Sequence, residues 1–175
     1  MVMNDWTMEK RQFIRKVCLI GDGAVGKTSL VRRYVLDVFS DDYISTFGAK
    51  VSKKVMIFGD VELTLMIWDI LGQKNGASMH SAYFSGANGA LVVCDGTRPE
   101  SLEGLKSWYQ EFTQVAGKVP VIPLANKCDL PTRIAKDSMA SASQMIGQDF
   151  RRTSAKSGEG VDEAFLHLGK LVMGG

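Results

Sequence analysis

The chain has 175 residues, of which 45% are hydrophobic and 23% are charged. This length and balance are typical of one globular domain and exclude a disordered or collagen-like chain. Lys and Arg number 21 against 19 Asp and Glu, a net charge of +2, so we expect no nucleic-acid partner, which would need a concentrated basic surface.

The N-terminal part of the sequence predicts an arm followed by a strand and a helix. Residues 1–11 are polar and mixed in character and predict a flexible arm, and we expect the folded domain to occupy residues 12–173. The apolar run at 17–20 predicts a buried parallel strand. Apolar residues at helical spacing predict a helix over residues 28–38.

A β-hairpin is predicted next. Apolar residues mark an extended segment at 51–57, and they alternate with polar residues over 61–67. Between these segments stands Gly59-Asp60, and glycine at the first central position favours a type II′ turn. We therefore expect the two strands to pair antiparallel at the edge of the sheet.

Strands and helices alternate through the rest of the chain, by the same criteria of apolar runs and helical spacing. In order, they are a strand at 90–94, a helix at 101–116, a strand at 121–125, a helix within 130–149, a short strand at 149–153 and a helix at 161–172. Ser101 is the expected N-cap of the helix that it begins. The alternation predicts an α/β fold with a doubly wound, mostly parallel sheet, which binds ligands at the carboxyl ends of its strands.

A phosphate-binding motif follows the first strand. Residues 21–28 read Gly-Asp-Gly-Ala-Val-Gly-Lys-Thr and match G-x-x-x-x-G-K-[ST] between a strand and a helix. Backbone N–H groups of such a loop face an anion, Lys27 offers an ammonium to the β- and γ-phosphates, and Thr28 offers a hydroxyl to Mg²⁺. The residues expected to contact the phosphates are Gly23, Ala24, Val25, Gly26, Lys27, Thr28 and Ser29. This motif alone fits both ATP and GTP.

A second motif, N-K-x-D at residues 126–129, directly follows the strand at 121–125. Asp129 can accept hydrogen bonds from N1–H and the exocyclic N2–H₂ of guanine, and adenine offers neither donor in that arrangement. Lys127 can lie along the base, and Asn126 can tie the segment to neighbouring loops. A backbone N–H of Ser154-Ala155-Lys156 can meet the base oxygen O6. This motif therefore predicts a guanine pocket.

Taken in order along the chain, these motifs resemble those of the Ras-like small GTPases, most closely the Rab-like branch, over residues 15–172. The resemblance implies a P-loop NTPase small G domain, with a mostly parallel six-stranded sheet, one antiparallel edge strand and helices on both faces. It implies a Mg²⁺-dependent molecular switch that hydrolyses GTP to GDP and phosphate. Two alternatives stay open: a module that binds GTP or GDP with negligible hydrolysis, and a P-loop ATPase or kinase of another class.

Residues 39–46 resemble switch I of that family. The resemblance implies that Phe39 stacks edgewise on the guanine and that Tyr43 lies across the phosphates. Thr46 is the implied second hydroxyl on Mg²⁺ and the sensor of the γ-phosphate. A purely structural role stays open for Phe39, as an apolar anchor that closes the preceding helix.

Switch II is implied at residues 69–83, beginning in the sequence W-D-I-L-G-Q. By resemblance, Asp69 holds Mg²⁺ through water, the Gly72 N–H bonds the γ-phosphate, and Gln73 orients the attacking water, so that Lys27, Thr46 and Gln73 are the implied catalytic residues. The family's Thr-Ala is replaced here by Ile70-Leu71, a change that can restrict how switch II rearranges.

The surfaces that read partners depart from the family pattern. The family implies effector, exchange-factor and activating proteins at the two switches. However, Lys74-Asn75-Gly76 replaces the Glu-Arg-Phe usual in Rab proteins, and the three positions of the Rab aromatic triad are Val51, Trp68 and Tyr83. A partner-binding patch and simple packing are equally open for Trp68.

The three cysteines, Cys18, Cys94 and Cys128, form no C-x-x-C pair, and we expect buried, unreactive thiols in a reducing, cytoplasmic compartment. From Val2 and from Cys128 as the last cysteine, we expect neither N-myristoylation nor C-terminal prenylation. No apolar run reaches the length of about 20 residues that a membrane span needs, so we expect any membrane contact to come through a partner or a surface patch. We also expect a monomer.

Overall fold

The structure is a computed structural model that describes residues 9–35, 44–46, 48–72 and 77–174. Its strands span Arg11–Ile20 (β1), Ile44–Thr46 (β2), Ala49–Phe58 (β3), Val61–Ile70 (β4), Gly89–Asp95 (β5), Val121–Asn126 (β6) and Arg151–Arg152 (β7). Its helices span Lys27–Val35 (α1), Ala77–Phe84 (α2), Glu100–Ala116 (α3), Lys136–Ile146 (α4) and Val161–Val172 (α5).

All seven strands join one sheet in the order β2-β3-β4-β1-β5-β6-β7. Every neighbouring pair from β4 to β7 is parallel, whereas β3 is antiparallel to both β2 and β4. The predicted doubly wound sheet with antiparallel pairing at one edge is therefore confirmed, and all six predicted strands are present. The additional strand β2 has three residues, which are too few to show a periodic pattern.

The predicted hairpin is formed by β3 and β4, which pair without interruption from Ala49 opposite Ile70 to Phe58 opposite Val61. Gly59 has φ +59°, and Asp60 is not among the residues with positive φ. Because a type I′ turn needs positive φ at both central residues, this combination is the predicted type II′ turn.

Several element boundaries differ from the sequence analysis, most of all at β1, which is predicted at 17–20 and spans Arg11–Ile20. β1 begins at Arg11, the last residue of the predicted arm, because Arg11 pairs with Val61 in the sheet. Ser101 does not cap α3: the helix begins after Pro99, and the Ser101 hydroxyl instead donates to the Arg98 carbonyl at 2.7 Å and accepts from the Asp95 N–H at 2.9 Å.

The core has two layers, one on each face of the sheet. Buried residues of α1 and α5 pack on one face, where the rings of Tyr34 and Phe165 stack with centroids 4.0 Å apart. On the other face α2 and α3 contribute Phe84, Trp108 and Phe112. Buried apolar area of this extent is the main stabilising contribution to such a fold.

The cysteines divide into two kinds. Cys18 and Cys94 are fully buried, and burial raises the pKa of each thiol to about 12, as expected for unreactive thiols. Cys128 is only partly buried and differs from that expectation. Within the described residues, no helix is long and apolar enough to cross a membrane.

Replacing Phe165 by alanine is expected to lower the free energy of unfolding by about 3–5 kcal/mol, because a fully buried ring leaves a cavity against Tyr34. Urea unfolding measures the loss. The control is Leu166→Ala on the same helix, where the side chain is 40% exposed and a change below about 1 kcal/mol is expected. Similar losses in both variants would contradict this packing.

Candidate functional site

The predicted motifs converge at the carboxyl edge of the sheet. The loop after β1 and the loop after β6 contact each other there through a hydrogen bond from the Asn126 amide to the Val25 carbonyl, although β5 lies between the two strands. They border two adjoining clefts of about 430 and 380 Å³. The larger is lined by the phosphate motif with residues 69–72, and the smaller by residues of the N-K-x-D motif with Ala155 and Lys156.

Glycine and left-handed backbone shape the phosphate loop. Gly21 and Gly26 have φ of +143° and +104°, and Ala24 between them has φ +62°. A Cβ at Gly21 would lie 2.3 Å from the Val93 carbonyl oxygen, and one at Gly26 would lie 2.3 Å from the side-chain nitrogen of Asn126. Both positions therefore require glycine for close approach as well as for conformation.

Lys27 is a buried cation at the base of the larger cleft. Its Nζ donates to the carbonyl oxygens of Gly21 and Asp22 at 2.8 and 2.9 Å. Burial lowers the pKa of Lys27 to about 8, although the nearby carboxylates of Asp69 and Asp22 oppose the shift. An anion entering the cleft would restore charge balance around this desolvated ammonium.

The two predicted metal ligands that the structure describes meet beside Lys27. The hydroxyl of Thr28 donates to the Asp69 carboxylate at 2.6 Å, bringing together α1 and β4. Burial raises the pKa of Asp69 against the opposing effects of that hydrogen bond and of Lys27. A hydroxyl and a carboxylate placed together at a phosphate site are oxygen donors of the kind that Mg²⁺ prefers.

The unusual residues Ile70 and Leu71 have different environments. Both border the larger cleft, but Ile70 is fully buried in the core whereas Leu71 is 49% exposed. Next to it, Gly72 packs so closely on the phosphate loop that a Cβ would lie 2.4 Å from the Gly23 nitrogen. This contact places the start of the predicted switch II directly against the predicted phosphate site.

Asn126 and Lys127 join the base motif to the phosphate loop. The buried Asn126 amide donates to the Val25 carbonyl at 2.9 Å and accepts from the Thr153 hydroxyl at 3.0 Å. Lys127, at φ +66°, donates from Nζ to the Ala24 carbonyl at 3.1 Å. The predicted tie between Asn126 and the neighbouring loops is therefore present.

Asp129 lines the smaller cleft, and one of its carboxylate oxygens accepts from the Ser154 hydroxyl at 2.7 Å. Ala155 and Lys156 line the same cleft. Asn126 and Lys127 line it too, whereas Ser154 reaches it only through its bond to Asp129, and Phe39 lies outside the described residues.

Sequence reasoning missed Asp95 and Arg98. The buried Asp95 carboxylate accepts from Lys127 at 2.8 Å and pairs with Arg98 at 3.3 Å, and Arg98 donates to the Gly23 carbonyl at 2.9 Å. Burial acts to raise the pKa of Asp95, but hydrogen bonds from Lys127 and Thr97 outweigh it and lower the pKa. The signal that could have found Asp95 is its position: it is an acidic residue at the carboxyl end of β5, beside the strand that leads into N-K-x-D.

Trp108 was predicted only as part of an apolar helical stripe. It is buried as expected, and its Nε1–H also donates to the Asp22 carboxylate at 3.0 Å. A Cβ at Gly104 would lie 2.0 Å from that carboxylate. α3 therefore holds the Asp22 side chain of the phosphate loop. Spacing along the chain does not reveal this contact.

Several predicted residues lie outside the part of the chain that the structure describes. They are Phe39, Tyr43, Gln73, Lys74, Asn75, Gly76 and the side chain of Thr46. Of the aromatic-triad positions, Trp68 and Tyr83 are half-buried with ring centroids 6.1 Å apart, and Val51 pairs with Trp68 across the hairpin. These contacts are compatible with both packing and a small partner patch.

Comparison with known proteins matches residues 16–174 to the family described as the Ras family. The chain is 34% identical to Ras-related protein Rab-21 of Mus musculus over 166 residues, covering 93% of this chain and 75% of that protein. It is 36% identical to GTP-binding protein YPTM1 of Zea mays over 163 residues, covering 91% of this chain and 78% of that protein.

Replacing Asp95 by asparagine is expected to lower the free energy of unfolding by about 2 kcal/mol, because Lys127 and Arg98 lose the carboxylate that they share. Urea unfolding measures the loss.

The control for that change is Asp60→Asn. Asp60 is also paired with an arginine, Arg11 at 3.3 Å, but that pair is exposed on the hairpin and contributes little. Equal effects of the two substitutions would show that Asp95 has no special role at the site.

Proposed function

The chain belongs to the Ras family and is a Rab-like small GTPase, and from that membership we propose that GTP occupies the two adjoining clefts, with its phosphates on residues 21–28 and its guanine on residues 126–129 and 154–156. The protein is a GTP-binding molecular switch that hydrolyses GTP to GDP and phosphate. The non-hydrolysing alternative is not favoured by this family membership.

The observation that carries the proposal is the direct connection between the two clefts. Asn126 and Lys127 both bond carbonyls of the phosphate loop, at 2.9 and 3.1 Å, so a ligand with phosphates at one end and a base at the other spans a single preorganised site. Asp129 in the base cleft favours guanine over adenine, because adenine would leave the carboxylate without its donors. A preference for guanine argues against the alternative of a P-loop ATPase or kinase of another class.

The chemistry proposed for this site is positioning and charge stabilisation. Lys27 and the loop N–H groups would neutralise charge that develops on the phosphates, and Gln73 would orient the attacking water. Thr46 and Gly72 would contact the γ-phosphate, and its loss on hydrolysis would release both switches.

Mg²⁺ is proposed as the cofactor. The Thr28 hydroxyl and the Asp69 carboxylate, 2.6 Å apart at the base of the phosphate cleft, would hold it together with Thr46. When bound, the ion would supply positive charge that offsets the negative charge of the phosphates. The Thr28 hydroxyl and the Asp69 carboxylate would supply oxygen ligands to the ion.

The partners proposed here are regulators and effectors at residues 39–46 and 69–83, in line with the family. An activator that supplies an arginine would raise a slow intrinsic rate, on the order of 10⁻⁴ s⁻¹, by about 10⁵-fold. We further propose a cytoplasmic monomer that reaches membranes through such partners.

Replacing Gln73 by leucine is expected to slow hydrolysis of bound GTP by at least about tenfold while GTP affinity stays unchanged, because the side chain acts on the attacking water only. A single-turnover assay that follows bound nucleotide by chromatography measures the rate. Gln114→Leu, on the exposed side of α3, is the matched control. The proposed role fails if both variants hydrolyse GTP at the wild-type rate.

Chelation of Mg²⁺ by EDTA is expected to speed GDP release by at least about tenfold, because phosphate charge then lacks its cation. In Thr28→Ala, which removes one proposed ligand, EDTA should accelerate release much less. Stopped-flow release of fluorescent GDP provides the measurement. Identical EDTA responses in the two proteins would remove Thr28 from the metal site.

A further inference from the structure

The loop that closes the base cleft is anchored at its ends by its own hydrogen bonds. The Ser154 N–H donates to the Glu159 carbonyl at 2.9 Å, and the Gly158 N–H donates to the Ser154 carbonyl at 2.8 Å. The Ser157 N–H donates to the Ser154 hydroxyl at 3.0 Å. These bonds leave the tip of the loop, Ala155-Lys156, to be held by something else.

Arg33 of α1 holds that tip. Its Nε donates to the Ala155 carbonyl at 2.9 Å, and a terminal guanidinium nitrogen donates to the Lys156 carbonyl. One rigid guanidinium thus binds two successive carbonyls, a geometry that a lysine ammonium does not reproduce.

The direction of these carbonyls determines where the N–H groups of the loop point. A trans peptide unit is planar, so its C=O and N–H point in opposite directions. Fixing the Ala155 carbonyl on Arg33 therefore turns the Lys156 N–H away from Arg33. Within the described residues, neither the Ala155 nor the Lys156 N–H donates to a protein acceptor, and both residues line the base cleft.

We propose that Arg33 is a positioning residue for base recognition, which aims the N–H group of Lys156 at the O6 oxygen of guanine. This inference rests on the proposed binding of GTP in the clefts. Arg33 itself does not line either cleft, so it acts through the loop and not by touching the base.

The position of Arg33 on α1 makes the loop part of a rigid frame. Lys27 and Thr28 stand at the first turn of α1, and Arg33 stands at its last turn. Tyr34 fixes that last turn to α5 through its stack on Phe165, with centroids 4.0 Å apart and planes 2° from parallel. The phosphate end and the O6-reading end of the site are therefore set by one helix.

The test uses two nucleotides that each change one edge of the base. In 6-thio-GTP a sulfur, which is a weak acceptor, replaces O6, whereas ITP keeps O6 and lacks the N2 amino group read by Asp129. Affinities for GTP, 6-thio-GTP and ITP are measured on wild type, Arg33→Met and the control Arg11→Met. Arg11 carries the same charge at the opposite end of β1, where it pairs with Asp60.

Wild type is expected to prefer GTP over 6-thio-GTP, and Arg33→Met should reduce that preference roughly fivefold, the effect of about one hydrogen bond. The preference for GTP over ITP should stay unchanged in Arg33→Met, and both preferences should stay unchanged in Arg11→Met. If Arg33→Met does not fold, Arg33→Lys tests the same ratio with one carbonyl still held.

Other outcomes overturn the inference. Equal weakening of all three nucleotides in Arg33→Met would give Arg33 a merely structural role, and a wild type without preference for GTP over 6-thio-GTP would show that the loop does not read O6. Failure of wild type to bind GTP would instead reject the proposed function, so the two failures are distinguishable.

Discussion

The buried amide of Asn126 is the contact on which the rest of the site depends. It bonds the phosphate loop at Val25 and the start of the loop after β7 at Thr153, so three separate segments share one side chain. Gly26 packs against the same amide, and any side chain there would clash, because a Cβ at Gly26 would lie 2.3 Å from the amide nitrogen. A buried amide with both ends satisfied fixes its neighbours, because any displacement leaves a polar group unpaired.

Around this amide the protein holds charged side chains in place with backbone carbonyls. Lys27, Lys127 and Arg98 each donate to a carbonyl of the phosphate loop, and Asp95 stands behind the latter two. Charges arranged in this way require little reorganisation when a phosphate enters the cleft. Burial lowers the pKa of Lys27, and an anion beside its ammonium would stabilise the charged form.

The residues that depart from the family pattern show where sequence reasoning reaches its limit. Ile70 and Leu71 are adjacent in sequence, yet one is fully buried and the other is half exposed in the cleft. Alternation along β4 ends at this point, so periodicity could not assign either side chain. Ser101 likewise has the residue type of a helix cap, but its hydroxyl is engaged within the loop from Asp95.

By itself the sequence determined the order of strands and helices, the hairpin turn and the two nucleotide motifs, because each depends on spacing among neighbouring residues. Only the tertiary structure decided the roles of Asp95, Trp108 and Arg33, which act on the phosphate and base loops across the fold. Arg33 and Ala155 are 122 residues apart in the chain. No local pattern encodes such a pairing, since it exists only once α1 has packed against α5.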